Sequence, residues 1–226
     1  MDDMKIAVVG STGRTGRLVL DEGLRRGYAM TAFTRRPANL AGVRGLSKVV
    51  SGDARNPEDV RPAVHGQDAI VSIVSTEGVG PTTVMSDVMR AEVAAMREEG
   101  VRRLVAVSVS AIEGRRPWIL INLVRWMLRK PYSDFGRMER LVRESGLDWT
   151  IVRPPRLTNG RATGRVRAVA GVKELPHGPY SITRADLAAT LLDLAESRDH
   201  RGEVLLVSEA RRARDRIRSS SARTDP

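Results

Sequence analysis

Lys5-Ile6-Ala7-Val8-Val9-Gly10-Ser11-Thr12-Gly13-Arg14-Thr15-Gly16 is the stretch that decides the fold. Residues 6–9 are a continuous apolar run, as expected of a strand buried on both faces. They lead into glycines spaced G-x-x-G-x-x-G. Residues 16–26 follow as a helical pattern, with Leu18, Leu20 and Leu24 among charges, and stop near Gly27. A strand feeding a glycine-rich turn that opens a helix makes an anion cradle. The glycines permit a tight turn, let the backbone approach a pyrophosphate and let the helix pack close to the strand. The helix N-terminus adds amide donors and a partial positive charge. The spacing differs from the stricter G-x-G-x-x-G, but the physical demand is the same. No G-K-[ST] follows, which weighs against a P-loop NTPase.

Outward from this stretch, short apolar runs alternate with amphipathic segments. Residues 30–33, 48–50, 68–74, 104–109 and 149–153 read as further strands, the last halted by Pro154-Pro155. Asn56-Pro57-Glu58-Asp59 has the form of a helix start: a capping Asn, a proline in the first turn, then acids. Pro81-Thr82-Thr83 opens a long helix through Glu99 that ends at Gly100, with Val84, Val88, Ala91 and Ala95 marking its core face. Residues 133–145 are helical and stop at Gly146. A strand pair around residues 165–170 and Ser181, a helix over 184–197 and a last strand over 203–207 complete the order. No internal repeat is visible. This alternation predicts an α/β fold, a doubly wound parallel sheet with right-handed crossovers, as one domain with a small C-terminal substrate-side region. Residues 1–208 form that domain, and residues 209–226 a basic tail expected to be disordered.

The end of the second strand speaks to the ligand. A NAD-selective site has Asp or Glu there to bond the ribose hydroxyls. Here the strand ends Phe33-Thr34-Arg35-Arg36-Pro37, with two guanidiniums and no carboxylate. Arginine matches a phosphate bidentately, so the 2′-phosphate of NADP(H) is the natural ligand, and Arg14 can reach the same group. A solvated basic turn is the bland alternative.

Composition excludes several classes. The formal charge is +11, but the last sixteen residues carry six arginines against two aspartates, a net +4. The excess is therefore partly a tail property, and a body without a recognition helix or aromatic-basic signature weighs against nucleic acid. Zero cysteines exclude disulfide scaffolds, thiolate metal sites and Cys nucleophiles. His65, His177 and His200 lie far apart without metal-ligand spacing, so no metal is expected. The acidic Met1-Asp2-Asp3 start lacks a signal-peptide pattern. The longest apolar stretch, residues 118–128, is interrupted by Asn122 and Arg125, too short and polar to form a transmembrane segment. The chain reads as a soluble cytoplasmic protein, monomer or dimer, acting on a small-molecule substrate.

Several segments carry a family resemblance. The loop from Gly10 to Gly16, Gly52-Asp53 and Gln67-Asp68-Ala69-Ile70-Val71 resemble the NmrA-like atypical short-chain dehydrogenase/reductases. Pro81-Thr82-Thr83-Val84-Met85-Ser86 and Val93-Ala94-Ala95-Met96 point toward the biliverdin-IXβ reductase/flavin reductase branch. So does the run from Arg137-Met138 through Arg143-Glu144-Ser145-Gly146-Leu147 to Asp148-Trp149-Thr150-Ile151-Val152-Arg153-Pro154-Pro155. The resemblance covers roughly residues 4–207. It implies a Rossmann-type domain in which Gly10, Ser11, Thr12, Gly13, Arg14, Thr15 and Gly16 hold the pyrophosphate and Arg35, with Arg36 beside it, the 2′-phosphate. Asp53 and Ala54 would flank the adenine, and Val74 and Ser75 would lie along the cofactor. Ser108 and Ser110 would sit beside the nicotinamide, closed over by Pro154, Pro155 and Arg156.

The chemistry departs from the common pattern. A Tyr-x-x-x-Lys pair is absent: Tyr28, Tyr132 and Tyr180 are followed four residues on by Ala32, Gly136 and Arg184. The branch that this sequence resembles does without that tyrosine, holding the nicotinamide against a flat conjugated acceptor while a serine or solvent assists proton delivery. Ser110 is the candidate catalytic serine and Ser108 the second. An ungapped register from Pro81 puts Val109 there instead, and serines that merely cap a strand end are the alternative. Arg156 stands where the branch often has histidine and would recognise an acidic substrate group. Residues 115–130 hold two of the three tryptophans, Trp118 and Trp126, and would wall the nicotinamide site, form a dimer surface or lie on a membrane. The leading expectation is an NADPH-dependent oxidoreductase transferring hydride to a flavin, quinone or tetrapyrrole-like acceptor. A non-catalytic NADP(H)-sensing regulator is the alternative.

Overall fold

The computed structural model describes residues 3–74, 82–109, 129–171 and 180–210. In chain order the elements are β1 (Lys5–Val9), α1 (Arg14–Arg25), β2 (Ala29–Thr34), a 3-10 turn (Pro37–Leu40), β3 (Lys48–Ser51), α2 (Pro57–Val64) and β4 (Ala69–Ser72). There follow α3 (Val84–Glu98), β5 (Arg103–Val107), α4 (Arg129–Arg143), β6 (Asp148–Arg153), β7 (Arg156–Thr158), β8 (Val166–Ala170), β9 (Ser181–Thr183), α5 (Arg184–Glu196) and β10 (Glu203–Glu209).

Eight strands form one sheet in the order β3-β2-β1-β4-β5-β6-β10-β8. The expected doubly wound sheet is present, and it is parallel from β3 to β10. Its one departure is the edge strand β8, which runs antiparallel to β10 with Val207 opposite Ala168. The strands around residues 165–170 and Ser181 both exist, but they do not pair with each other. β9 pairs instead with β7, a short strand directly after Pro154-Pro155. A proline pair ends β6 because it removes two ladder donors, and the chain resumes pairing elsewhere once past it.

The period-2 alternation of the strands sorts two cores. Ile6, Val8, Met30, Ala32, Val71, Val105, Val152 and Leu205 face α1 and α5. Ala7, Val9, Phe33, Ile70, Leu104, Ala106 and Ile151 face α2, α3 and α4. Both faces of β1 are enclosed, which is why its run is uninterrupted. The Asn56 side chain accepts the Glu58 N–H at 3.2 Å, so the expected cap opens α2.

Two buried carboxylates tie the layers together. Asp134 on α4 accepts the Met85 and Ser86 N–H groups at 2.9 and 3.2 Å, capping α3 from a neighbouring helix. The Thr183 hydroxyl caps α5 by accepting the Asp186 N–H and donates to the Asp186 carboxylate, which also accepts the Thr163 and Gly164 N–H groups and so orders the loop before β8. At the opposite end of the sheet, the buried Arg103 guanidinium donates to the Leu194 carbonyl at the end of α5, a favourable place for a cation. Among the described residues no helix is long and apolar enough to cross a membrane.

Candidate functional site

In chain order the sheet grows outward from β1 to β3, then restarts at β4 on the other side of β1. The crevice at the carboxyl ends of β1 and β4 is the switch point where open α/β sheets take their ligands. The loop from Gly10 to Gly16 lies there. Gly10 has φ +85°, and a Cβ on it would meet the Ile73 carbonyl oxygen at 2.4 Å. A Cβ on Gly16 would stand 2.2 Å from the Gly10 carbonyl oxygen. The first glycine is thus required by the turn and by β4, and the third by the packing of α1 on the turn.

Gly13 is different. It is the N-cap of α1 with ordinary extended geometry, it is exposed, and its nearest obstacle to a Cβ is the Gly10 oxygen at 3.3 Å. Among the described residues no side chain caps α1, and its first turn has no acid, whereas α3 and α5 carry one there and α2 two. The open amides, the positive helix end and the exposed Arg14 fit an external anion such as a pyrophosphate. Ser11 serves the scaffold: its hydroxyl donates to the Phe33 carbonyl at 2.7 Å and locks the loop to β2. Thr12 is half-buried and Thr15 buried.

Arg35 and Arg36 emerge exposed just after β2, and neither guanidinium is hydrogen-bonded among the described residues. Arg35 lies within electrostatic range of Asp53, which follows β3. The Asp53 carboxylate is engaged by the Arg55 guanidinium, whose hydrogen bonds hold its pKa down at about 2. Ala54 is half-buried against the α2–α3 core. Val74 follows β4 beside Gly10, its N 3.3 Å from where a Cβ would stand.

At the far side of the crevice Ser108 follows β5. Its N–H donates to the Val152 carbonyl at 2.8 Å, so it stands against the strand that leads into the buried Pro154 and half-buried Pro155. Among the described residues the buried Ser108 hydroxyl has no hydrogen bond of good geometry, yet it lies near enough to Glu139 to favour its ionised form. Arg156 begins β7 and is exposed. Ser75, Ser110 and Trp118 lie outside the described residues, as do most of the 115–130 segment and the tail beyond Ala210.

The structure adds residues that the sequence reading did not single out. Glu139 on α4 takes the Arg153 Nε and Nη2 at 2.8 and 2.6 Å, a bidentate pair with both side chains at most 6% exposed, and Arg143 joins from the surface. Burial pushes the Glu139 carboxyl up, but the Arg153 hydrogen bonds and charge, helped by the nearby Ser108 hydroxyl, more than offset it and hold its pKa below the usual carboxylate range. Glu92 on α3 is fully buried behind Ser72. Glu92 had a signal, since it falls four residues after Val88 on the core face, and so did Arg153, which ends an apolar run.

The loop, the switch point and the open helix end are the geometry of a dinucleotide site, and the model of the NAD(P)H-binding family matches residues 10–198. The chain belongs to that family. Among its relatives, UPF0659 protein YMR090W of Saccharomyces cerevisiae is 30% identical over 209 residues, spanning 85% of this chain and 87% of the relative. Reductase pytE of Aspergillus terreus is 29% identical over 230 residues, spanning 80% and 88%. Among solved structures, the oxidoreductase YlbE of Lactococcus lactis superposes with a TM-score of 0.77 at 24% identity, covering 98% of both chains, and shares the fold. The crowding at Gly10 and Gly16 serves the tight turn and the close packing of α1, while the open Gly13 leaves the backbone approachable by the family's ligand.

Proposed function

We propose that this chain is an NADPH-dependent reductase of a small conjugated acceptor, of the flavin, quinone or tetrapyrrole kind. The observation that carries the reading is the pairing of an uncapped, acid-free α1 start with two unengaged arginines at the end of β2. A carboxylate there would repel a 2′-phosphate; guanidiniums attract it. The relative named a reductase supports the redox class.

NADPH supplies the hydride when it is bound. The residues of the chain hold and orient it. Gly10, Gly13 and Gly16 bring backbone amides to the pyrophosphate, with Ser11, Thr12, Arg14 and Thr15 completing the cradle. Arg35 and Arg36 take the 2′-phosphate, and Asp53 and Ala54 border the adenine. Val74 and Ser75 lie along the cofactor, and Ser108, Pro154 and Pro155 frame the nicotinamide end. Ser110 or Ser108 delivers a proton to the acceptor, and Arg156 and Trp118 meet the substrate. A single domain over residues 1–208 suffices for this.

The test is NADPH oxidation against FMN, menadione and a biliverdin, followed by loss of absorbance at the nicotinamide band. Turnover with at least one acceptor, faster with NADPH than NADH, is the expected result. Tight NADPH binding without oxidation across the panel overturns the reductase reading in favour of a nucleotide sensor.

A further inference from the structure

Beyond the loop and Arg35, the adenine end of the crevice holds another cation with a committed geometry. The Gly52 N–H donates to the Thr34 carbonyl at 3.3 Å, so the chain leaving β3 runs beside the chain leaving β2. Asp53 is fixed there by its own N–H, which donates to the Asp59 carboxylate of α2 at 2.8 Å. Arg55 folds back on it. The Arg55 N–H and Nε each donate to Asp53 Oδ1 at 3.0 Å, and Nε and Nη2 also reach Oδ2. One edge of the guanidinium is therefore occupied, while Nη1 makes no hydrogen bond among the described residues. Arg35, just after β2, lies within electrostatic range of the same carboxylate. Asp87 also lies within electrostatic range of Arg55, and it is taken up by Thr83 and Arg90.

Arg55 and Arg35 share the Asp53 carboxylate, and the Nη1 edge of Arg55 has no acceptor among the described residues, at a half-exposed position where a free anion can enter. We infer that Arg55 is the second guanidinium of the 2′-phosphate site, acting with Arg35 and held in position by Asp53. The inference rests on the proposed NADPH reading and deepens it. Asp53 acts here as a positioning residue: it fixes the rotamer of Arg55 before the phosphate arrives, so less side-chain freedom is lost on binding. It also accounts for a carboxylate so near a phosphate, since its charge is already matched by Arg55.

The test uses the full chain and two probes that differ only by the group in question, adenosine 2′,5′-bisphosphate and 5′-AMP, titrated by calorimetry alongside NADPH and NADH. Arg55→Ala should weaken the bisphosphate and NADPH about tenfold to a hundredfold, the loss of one charge-assisted contact, and change 5′-AMP and NADH by about twofold or less. Arg55→Lys should fall between, because a point charge keeps attraction but not the fork. Equal weakening of both probes, or no weakening of either, overturns the inference and leaves Arg55 as a partner of Asp53 alone. A wild-type chain that oxidises NADPH selectively while Arg55→Ala keeps that selectivity sinks only this inference. A wild-type chain that fails to prefer the 2′-phosphorylated probes sinks the NADPH reading as well.

Discussion

Ser72 donates its hydroxyl to Glu92 Oε1 at 3.0 Å between β4 and α3, and Glu92 Oε2 is buried with no hydrogen-bond partner among the described residues. Burial pushes the Glu92 carboxyl up to about 8, against an ordinary 4.5, and the Ser72 hydrogen bond opposes it only in part. A fully enclosed carboxylate with one hydrogen bond is costly, so the folded chain keeps the proton.

That proton sets a pH dependence. Below pH 4.5 both folded and unfolded chains hold it. Between 4.5 and about 8 the unfolded chain has released it while the folded chain has not, so this group's contribution to stability declines across that window and is lost as pH passes the folded value. Glu92→Gln carries no such proton and keeps an acceptor for Ser72. In urea melts, the stability of Glu92→Gln relative to wild type should rise steadily from pH 5 to pH 8. A difference that is flat with pH would mean Glu92 is ionised in the fold.

The Glu139–Arg153 pair predicts an asymmetric mutant cycle. Removing one partner strands a buried charge, so Glu139→Ala should cost about 3–5 kcal/mol in urea unfolding. Replacing both, as Glu139→Leu with Arg153→Met, should recover most of that loss, because apolar groups of similar volume need no partner. A double variant as unstable as the single would show that the pair is held by more than its own charges.

The phosphate loop was legible in the sequence because its demands are local. Gly10 must adopt a positive φ and Gly16 must lie against the Gly10 carbonyl, and only glycine meets either condition. The Asn56 cap was legible for the same reason. Strand partners were not: β8 chooses β10 and β9 chooses β7, choices made by three-dimensional neighbours rather than by the residues of 165–170 or Ser181. Glu139 was hidden because its meaning depends on Arg153, fourteen residues on and on another element. Asp53 was read for its place after β3, but its engagement by Arg55 is a side-chain rotamer, which no spacing encodes.

The loop glycines should separate folding from binding. Gly16→Ala forces a Cβ to 2.2 Å from the Gly10 oxygen, so both the melting temperature and NADPH affinity should fall. Gly13→Ala has compatible backbone and only a 3.3 Å approach to relieve. Its melting temperature should stay within about 4 °C of wild type, a cost near 1 kcal/mol, while NADPH affinity falls at least about tenfold as the new methyl crowds the pyrophosphate. Thermal melts and NADPH fluorescence titration check both. An affinity for Gly13→Ala equal to wild type would mean that the nucleotide does not lie against the N-cap.

Ser108 gives the catalytic prediction. Its hydroxyl is buried at the end of β5 with no hydrogen bond of good geometry among the described residues, so Ala loses little there in the apo fold. Ser108→Ala should therefore melt close to wild type and bind NADPH unchanged. Its kcat with the best acceptor should fall about tenfold or more if this hydroxyl delivers the proton, and the solvent deuterium isotope effect on kcat should change with it. Ser110→Ala, measured beside it, assigns the role: a fall confined to Ser110→Ala moves proton delivery to Ser110. Turnover unchanged in both variants and in the double variant would remove the serines from the chemistry and leave solvent as the donor.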